Sequence, residues 1–145
     1  MTDCFYCTKD KRLSELMQPV CSLQWSDVYF LRDQRYRGRC VVACKRHVNE
    51  LYEMEEAERR GFWEEVSAAA LAVSRIYHPD KLNYAVYGDL VSHYHVHLVP
   101  KYKGGAEWGI PFTDAAEKKY LPQENMDFEI QQLKEELQKI KAEKG

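Results

Sequence analysis

The chain has 145 residues, of which 21 are basic and 23 acidic, so its formal net charge is −2 at pH 7. This balance argues against broad electrostatic binding to extended nucleic acid, and no apolar run approaches the length of a membrane span. The length favours one domain with its own core. Five cysteines are an odd number for a disulfide framework, and the first residues are not typical of a signal peptide. We therefore expect a reducing, cytoplasmic environment.

A Cys-x2-Cys pair, Cys4 and Cys7, lies close to the N-terminus. Such a pair is either half of a metal site or a redox pair. A redox pair normally follows a strand and begins a helix, and since no strand precedes Cys4 we favour the metal site. Tetrahedral zinc needs two further ligands. His47, after a predicted strand, is either such a ligand or a surface residue, whereas His78 suits the C-terminal end of a helix dipole.

Short alternating apolar runs predict strands, and apolar residues at intervals of three and four predict helices. The expected strands span 21–25, 28–32, 39–44, 81–87 and 92–101, and the expected helices span 55–77 and 125–144. The last two strands are expected to pair as a hairpin. The last helix either covers the sheet or pairs with another subunit. Trp108, in a segment rich in glycine and aromatic residues, either stacks on a ligand or folds back over the core.

The most informative segment is 92–101, which reads S-H-Y-H-V-H-L-V-P-K. His93, His95 and His97 alternate with apolar and aromatic residues, so on a strand the imidazoles would share one face while the alternate residues face a core. Partly cationic groups this close repel one another unless an anion or a metal lies in front of them. The row therefore indicates either metal binding through neutral nitrogen atoms or nucleophilic and acid–base chemistry near neutral pH.

The pattern H-x-H-x-H, followed by two apolar residues, proline and a basic residue, resembles the signature of the histidine triad (HIT) family. The order of predicted elements between residues 4 and 103 is also similar to the whole HIT domain. The resemblance implies an α+β fold, in which an antiparallel sheet of about five strands carries one main helix and an extra C-terminal helix is appended. It also implies a HIT domain at residues 1–103, a C-terminal extension at residues 104–145 that packs on the domain or on a dimer, and a homodimer.

The family consists of nucleotidyl hydrolases and transferases that act at the α-phosphate of nucleotide conjugates, such as dinucleoside polyphosphates and nucleoside phosphoramidates. By this resemblance, His95 would attack the α-phosphorus and form a covalent nucleotidyl-imidazole, from which water releases the nucleoside monophosphate. His97 would hydrogen-bond phosphate oxygens and assist the leaving group. His93 would support His95.

A zinc-bearing branch of the family is similar to this chain at the N-terminus as well. The zinc ligands of that branch correspond to Cys4, Cys7, His47 and His93 of this chain. Four protein ligands leave no open position, so the implied zinc ion would be structural and would anchor the N-terminus and His93.

Three features depart from the family pattern. The usual Gly-His before the third strand is Gly38-Arg39, and Arg39 can still hold a phosphate through two hydrogen bonds. The loop before the triad is shorter than usual and lacks a glutamine, so Gly88 matches and Ser92 stands in for the hydroxyl residue. The acidic ribose-binding residue matches Asp33 with a shortened turn. The candidate substrate-binding residues are Asp33, Arg39, Gly88, Ser92 and Trp108.

Two alternative functions remain open beside the nucleotidyl hydrolase or transferase. The three triad histidines could gather on one catalytic zinc, but the Cys-x2-Cys pair would then lack a role. The chain could instead be a non-catalytic nucleotide-binding protein on the same fold, which the altered loop before His93 favours. In each case we expect a nucleotide or nucleotide conjugate as the ligand and no membrane partner.

Overall fold

The structure, a computed structural model, describes residues 3–114 and 117–144. Over these ranges, one antiparallel sheet has five strands in the order β1-β2-β3-β5-β4. The strands are β1 (Met17–Ser22), β2 (Ser26–Leu31), β3 (Cys40–Cys44), β4 (Lys81–Ala85) and β5 (His95–Lys101). The helices are α1 (Phe5–Thr8), α2 (Lys11–Leu16), α3 (Glu56–Tyr77) and α4 (Gln123–Lys144), and a 3-10 helix spans Leu51–Glu53. The predicted α+β fold with a main helix and a C-terminal helix is confirmed.

One face of the sheet is covered by the two long helices. The α3 helix packs against β2, β3 and β5, and α4 packs against α3 and β1. Their apolar stripes are buried, as shown by Phe62 and Val66 in α3 and by Leu137 and Ile140 in α4. Each such side chain contributes about 1.5–3 kcal/mol when fully buried, so this face holds the main core. In the described part of the chain, no helix is both long and apolar enough to span a bilayer.

The opposite face of the sheet is free to carry the site. Because side chains alternate along a strand, Val96 and Leu98 enter the helix-covered core while His95 and His97 project to the other side. The short helices α1 and α2 cover the part of this face that β1, β2 and β3 form. They do so through a second apolar cluster, formed by Cys4, Tyr6, Leu13, Met17, Tyr29, Leu31, Val41 and Ala43.

The first strand lies earlier than predicted. It spans Met17–Ser22 rather than 21–25, and it contains Pro19 and a change of register between Pro19 and Cys21. A proline is tolerated there because β1 is an edge strand. The proline and the irregularity interrupt the alternation on which the prediction relied. The short helices α1 and α2 were not predicted, since four and six residues are too few to show a helical period.

The triad strand begins later than predicted. β5 starts at His95 rather than Ser92. The backbone N–H of His93 donates to the carbonyl of Val91 at 2.9 Å, and the N–H of Tyr94 donates to the carbonyl of Val48 at 2.7 Å. These bonds hold His93 in a bend just before the strand, so only two of the three histidines lie on the strand itself.

Candidate active site

Four side chains from three parts of the chain converge beside the start of β5. Ligand atoms of Cys4, Cys7, His47 and His93 all lie within 4.8 Å of one another. The Nδ1 atom of His93 lies 3.3 Å from the sulfur of Cys4 and 3.5 Å from that of Cys7, and 3.0 Å from Nδ1 of His47. A tetrahedral zinc ion with bonds of about 2.0–2.3 Å separates its ligands by about 3.3–3.8 Å. The four side chains therefore fit a zinc ion.

The hydrogen bonding of His93 leaves the correct nitrogen free for a metal. Its Nε2 atom lies 2.6 Å from the backbone carbonyl oxygen of Cys44. A carbonyl can only accept, so Nε2 carries the proton and Nδ1 presents its lone pair to the two sulfur atoms. Metal-bound histidines are typically oriented by such a bond from the second ring nitrogen.

His95 is held with its other nitrogen available for reaction. Its Nδ1 atom lies 2.5 Å from the carbonyl oxygen of His93, so Nδ1–H donates and Nε2 keeps a lone pair. The ring is buried and lies 4.9 Å from the ring of Tyr6, between centroids. Burial lowers the pKa of His95, which favours the neutral form that a nucleophile requires.

His97 is held in the complementary tautomer by Arg39. An Nη2 atom of Arg39 lies 3.2 Å from Nδ1 of His97. Because a guanidinium only donates, Nδ1 accepts and the proton of neutral His97 resides on Nε2. Burial, followed by the charge of Arg39, lowers the pKa of His97 to about 3. The Nη1 atom of Arg39 donates to Asp114 at 2.8 Å.

The two strand histidines line a cavity of about 330 Å³, which is within the size range of small-molecule sites. The cavity is lined by Phe5, Tyr6, Glu15, Leu16, Met17, Leu31, Asp33, Arg39, Val91, His95, His97, Asp114, Lys118 and Tyr120. Its walls combine apolar side chains with a few charged groups. The carboxylate of Asp33 accepts the backbone N–H groups of Lys119 at 2.9 Å and Arg35 at 3.2 Å. The structure thus brings Asp33 and Arg39 together with His95 and His97.

Trp108 lies in a neighbouring groove rather than in this cavity. The groove has a volume of about 650 Å³, and its walls include Tyr84, Tyr87, Trp108 and Phe112. The rings of Tyr87 and Phe112 lie 6.0 and 6.2 Å from the ring of His97, between centroids. The groove therefore borders the His97 side of the cavity.

The other two predicted substrate-binding residues lie outside the cavity that contains His95. Ser92 lines a separate cavity of about 480 Å³, together with Cys4 and His47. Gly88 has a φ of 153°, and among the described residues a Cβ atom added there would meet only the carbonyl oxygen of Val91, at 3.7 Å. Neither residue is among those that line the cavity with His95 and His97.

Several residues of the site were not identified from the sequence. Asp114 pairs with Arg39 across 75 positions of sequence, and no local pattern indicates such a contact. Tyr6, which packs against His93 and His95 with centroid distances of 5.3 and 4.9 Å, lies inside the Cys-x2-Cys pair, and the metal-site pattern carries no information about the residues between the cysteines. Phe112 faces Arg39 at 4.9 Å. The sequence feature that could have indicated Phe112 is its place in a run of aromatic residues after the triad.

Comparisons with known proteins identify the family and support the fold. A family profile described as HIT domain matches residues 26–104, and no curated protein matches the chain. A histidine triad protein of Bradyrhizobium japonicum is similar in structure with a TM-score of 0.81 and 25% identity, over 88% of this chain and 96% of that one. One from Marinobacter aquaeolei VT8 has a TM-score of 0.81 and 20% identity over 90% and 96%.

A third similar structure, from Sulfolobus tokodaii strain7, is described as a hypothetical histidine triad nucleotide-binding protein. Its TM-score is 0.71 and its identity 20%, over 95% of this chain and 94% of that one. The family profile covers more than half of the 145 residues and includes all three triad histidines. The chain belongs to the HIT-domain family, as the sequence predicted.

Proposed function

We propose that the chain is a nucleotidyl hydrolase or transferase that cleaves nucleotide conjugates through a covalent intermediate on His95. The observation that carries this proposal is the pair of fixed tautomers in one cavity. His95 presents a lone pair on Nε2, because Nδ1–H is bonded to the carbonyl of His93. His97 presents a proton on Nε2, because its Nδ1 accepts from Arg39. A nucleophile and a hydrogen-bond donor on one strand face suit transfer of a phosphoryl-type group.

The reaction would occur in two displacements. In the first, Nε2 of His95 bonds to the α-phosphorus as the bond to the leaving group breaks. In the second, water attacks the same phosphorus and the electron pair returns to Nε2, which releases the nucleoside monophosphate and one proton. His97 would hydrogen-bond the phosphate or the leaving group. Dividing one displacement into two is the usual advantage of covalent catalysis.

A nucleotide as the ligand is supported by the chemistry of the cavity walls. The carboxylate of Asp33 can accept a ribose hydroxyl, while Leu16, Leu31 and Phe5 offer apolar surface to a base. Arg39 supplies positive charge for phosphate. One of the similar structures is also described as a nucleotide-binding protein.

We further propose that Cys4, Cys7, His47 and His93 hold a structural zinc ion. Bound zinc would supply a rigid crosslink between the N-terminus and the bend before β5. The set is complete without water, so the ion is not expected to activate one. The Nδ1 atom of His93 lies near the two sulfur atoms, whereas Nδ1 of His95 is bonded to a backbone carbonyl and Nδ1 of His97 to Arg39, which disfavours a single catalytic zinc held by all three triad histidines.

A non-catalytic nucleotide-binding protein is the second candidate. It is favoured by two specific observations. Arg39 is already paired with Asp114 at 2.8 Å, and Ser92 and Gly88 do not reach the cavity that contains His95. In this case a monophosphate would bind tightly without turnover of any conjugate.

Intact-mass spectrometry would distinguish the two candidates. The protein would be mixed with an adenosine phosphoramidate or a dinucleoside polyphosphate and quenched without acid. We expect a gain of one AMP mass in the wild type and in His78→Asn, a histidine exposed at the end of α3, but none in His95→Ala. If no adduct forms and no AMP is released with either conjugate, the proposed enzyme activity is rejected.

A further inference from the structure

We propose that Arg39 is a positioning residue that makes the site selective among nucleotide conjugates. The favoured conjugates are those whose leaving group departs as an oxyanion, such as phosphoanhydrides and mixed carboxylic–phosphoric anhydrides. The disfavoured conjugates are those joined through a P–N bond. This inference rests on the proposed transfer of a nucleotidyl group to His95. It narrows the substrate class within that function.

The guanidinium of Arg39 is fixed in the floor of the site. Arg39 is 4% exposed and immediately precedes β3. Its backbone N–H donates to the carbonyl of Tyr36 at 3.1 Å, and its carbonyl accepts the N–H of Leu31 at 3.2 Å. Its guanidinium lies 4.9 Å from the ring of Phe112. The guanidinium is also bonded to Asp114 and His97, so its charge lies at one defined place.

That place is directly against His97. With Nη2 of Arg39 at 3.2 Å from Nδ1, a second proton on His97 would bring two N–H donors face to face and two positive charges into contact. The other groups facing His97 are neutral His95, the rings of Tyr87 and Phe112 and, beyond Arg39, the carboxylate of Asp114. The side chain of Asp114 is 63% exposed, so solvent screens part of its compensating charge and the rest only partly offsets Arg39. His97 is therefore held neutral.

A neutral imidazole limits which bonds can break. When a P–N bond breaks, its electron pair goes to nitrogen, which must gain a proton as it leaves because an amide anion is too basic to depart. An imidazolium supplies that proton readily, whereas a neutral imidazole is a weak acid. General-acid catalysis of this kind contributes about 10²–10⁴-fold. With His97 neutral, most of this factor is lost for amine leaving groups.

An oxygen leaving group needs no such proton. When the P–O bond of an anhydride breaks, the electron pair stays on a phosphate or carboxylate oxygen, which leaves as an anion. The Nε2–H group of His97, polarised from behind by Arg39, can donate to this developing charge.

The test compares two AMP conjugates, diadenosine triphosphate with a P–O–P linkage and adenosine 5′-phosphoramidate with a P–N linkage. We expect kcat/KM of the wild type to favour the anhydride by roughly 100-fold or more. Arg39→Met should shrink this ratio by roughly 10-fold, because His97, although still buried, then takes a second proton more readily and the oxyanion loses its support. Arg39→Lys, which keeps a charge, should retain more of the ratio than Arg39→Met.

The controls separate selectivity from folding. Arg60→Met removes an exposed arginine of α3 and should leave both rates unchanged. Asp114→Asn removes the carboxylate that partly offsets the charge of Arg39, so the ratio of kcat/KM for the anhydride to that for the phosphoramidate should rise. This variant tests the inference if Arg39→Met does not fold. Similar kcat/KM values for both conjugates in the wild type, or an unchanged ratio in a folded Arg39→Met or in Asp114→Asn, would overturn the inference. Absence of turnover and adduct with both conjugates would instead reject the proposed function.

Discussion

The three triad histidines have different chemistry because each ring has a different hydrogen-bond partner. His93 gives its Nε2 proton to the carbonyl of Cys44 and turns Nδ1 toward the cysteines. His95 gives its Nδ1 proton to the carbonyl of His93 and keeps Nε2 free. His97 accepts from Arg39 and keeps its proton on Nε2. Identical side chains therefore become a candidate metal ligand, a candidate nucleophile and a hydrogen-bond donor.

Replacement of His97 by glutamine is expected to reduce the pH dependence of folding stability. The pKa of His97 is about 3 in the folded protein against an ordinary value of 6.5. Between these values the unfolded chain binds a proton that the folded chain excludes. The contribution of neutral His97 to the free energy of unfolding is therefore complete above about pH 6.5 and is lost as the pH falls toward 3. The free energy of unfolding of His97→Gln should fall less steeply than that of the wild type as the pH is lowered.

Urea unfolding at several pH values between about 5 and 7, at saturating zinc, would measure this difference. Saturating zinc makes the metal contribution common to all variants. His78→Asn serves as the control because His78 is exposed at the end of α3, and its stability should parallel that of the wild type. Parallel curves for His97→Gln and the wild type would contradict the expectation.

At the level of elements, an ion pair joins the loop after β3 to α3. Arg46 donates to Glu58 through Nη2 at 2.8 Å and Nε at 3.1 Å, and to the carbonyl of Glu53 at 3.1 Å. The next residue in the loop is the candidate ligand His47. Because Glu58 is largely buried while Arg46 is more exposed, the pair serves mainly to orient the loop and not as a large source of stability.

Glu58→Gln is therefore expected to weaken zinc binding. Loss of a group that orients a metal ligand typically costs 10–100-fold in affinity, and since Arg46 orients only the backbone beside His47 we expect roughly 10-fold. Competition against a chromogenic chelator would give the affinity. Glu56→Gln, in the same turn of α3 but paired with exposed Arg60, is the matched control and should bind zinc as the wild type does. Equal affinity in Glu58→Gln would remove the proposed role of this pair.

The same elements show what could be predicted from the sequence. The face shared by His95 and His97 was predictable because a period of two depends only on the local backbone. The position of β1 was not, because Pro19 is compatible with a strand only at a sheet edge, and the order of strands is not local information. The contact between Arg39 and Asp114 was equally inaccessible, since it joins residues 75 positions apart.

At the scale of the whole molecule, the apolar surface is uneven. The edge strand β1 is flanked by α2 and α4, whereas the side of the other edge strand, β4, exposes a group of large apolar side chains. They are Tyr84, Val86, Tyr87, Trp108 and Ile110. Four of them line the groove of about 650 Å³ beside β4. Contiguous apolar patches on a protein surface commonly mark association sites, so we propose that the homodimer implied by the family resemblance forms here.

Light scattering during size-exclusion chromatography would test this interface. We expect a mass of about twice the 17.1 kDa of one chain, falling to that of one chain in Tyr84→Glu or Ile110→Glu, because a buried unpaired charge is costly. Phe128→Glu, which alters an exposed aromatic residue on α4, should remain dimeric. A monomeric wild type, or dimers in both groove variants, would contradict the proposal. The rings of Tyr87 and Phe112 lie in the groove wall and also near His97. A second chain bound in the groove would therefore close one side of the site. Dissociation of the dimer should then lower the activity as well as the measured mass.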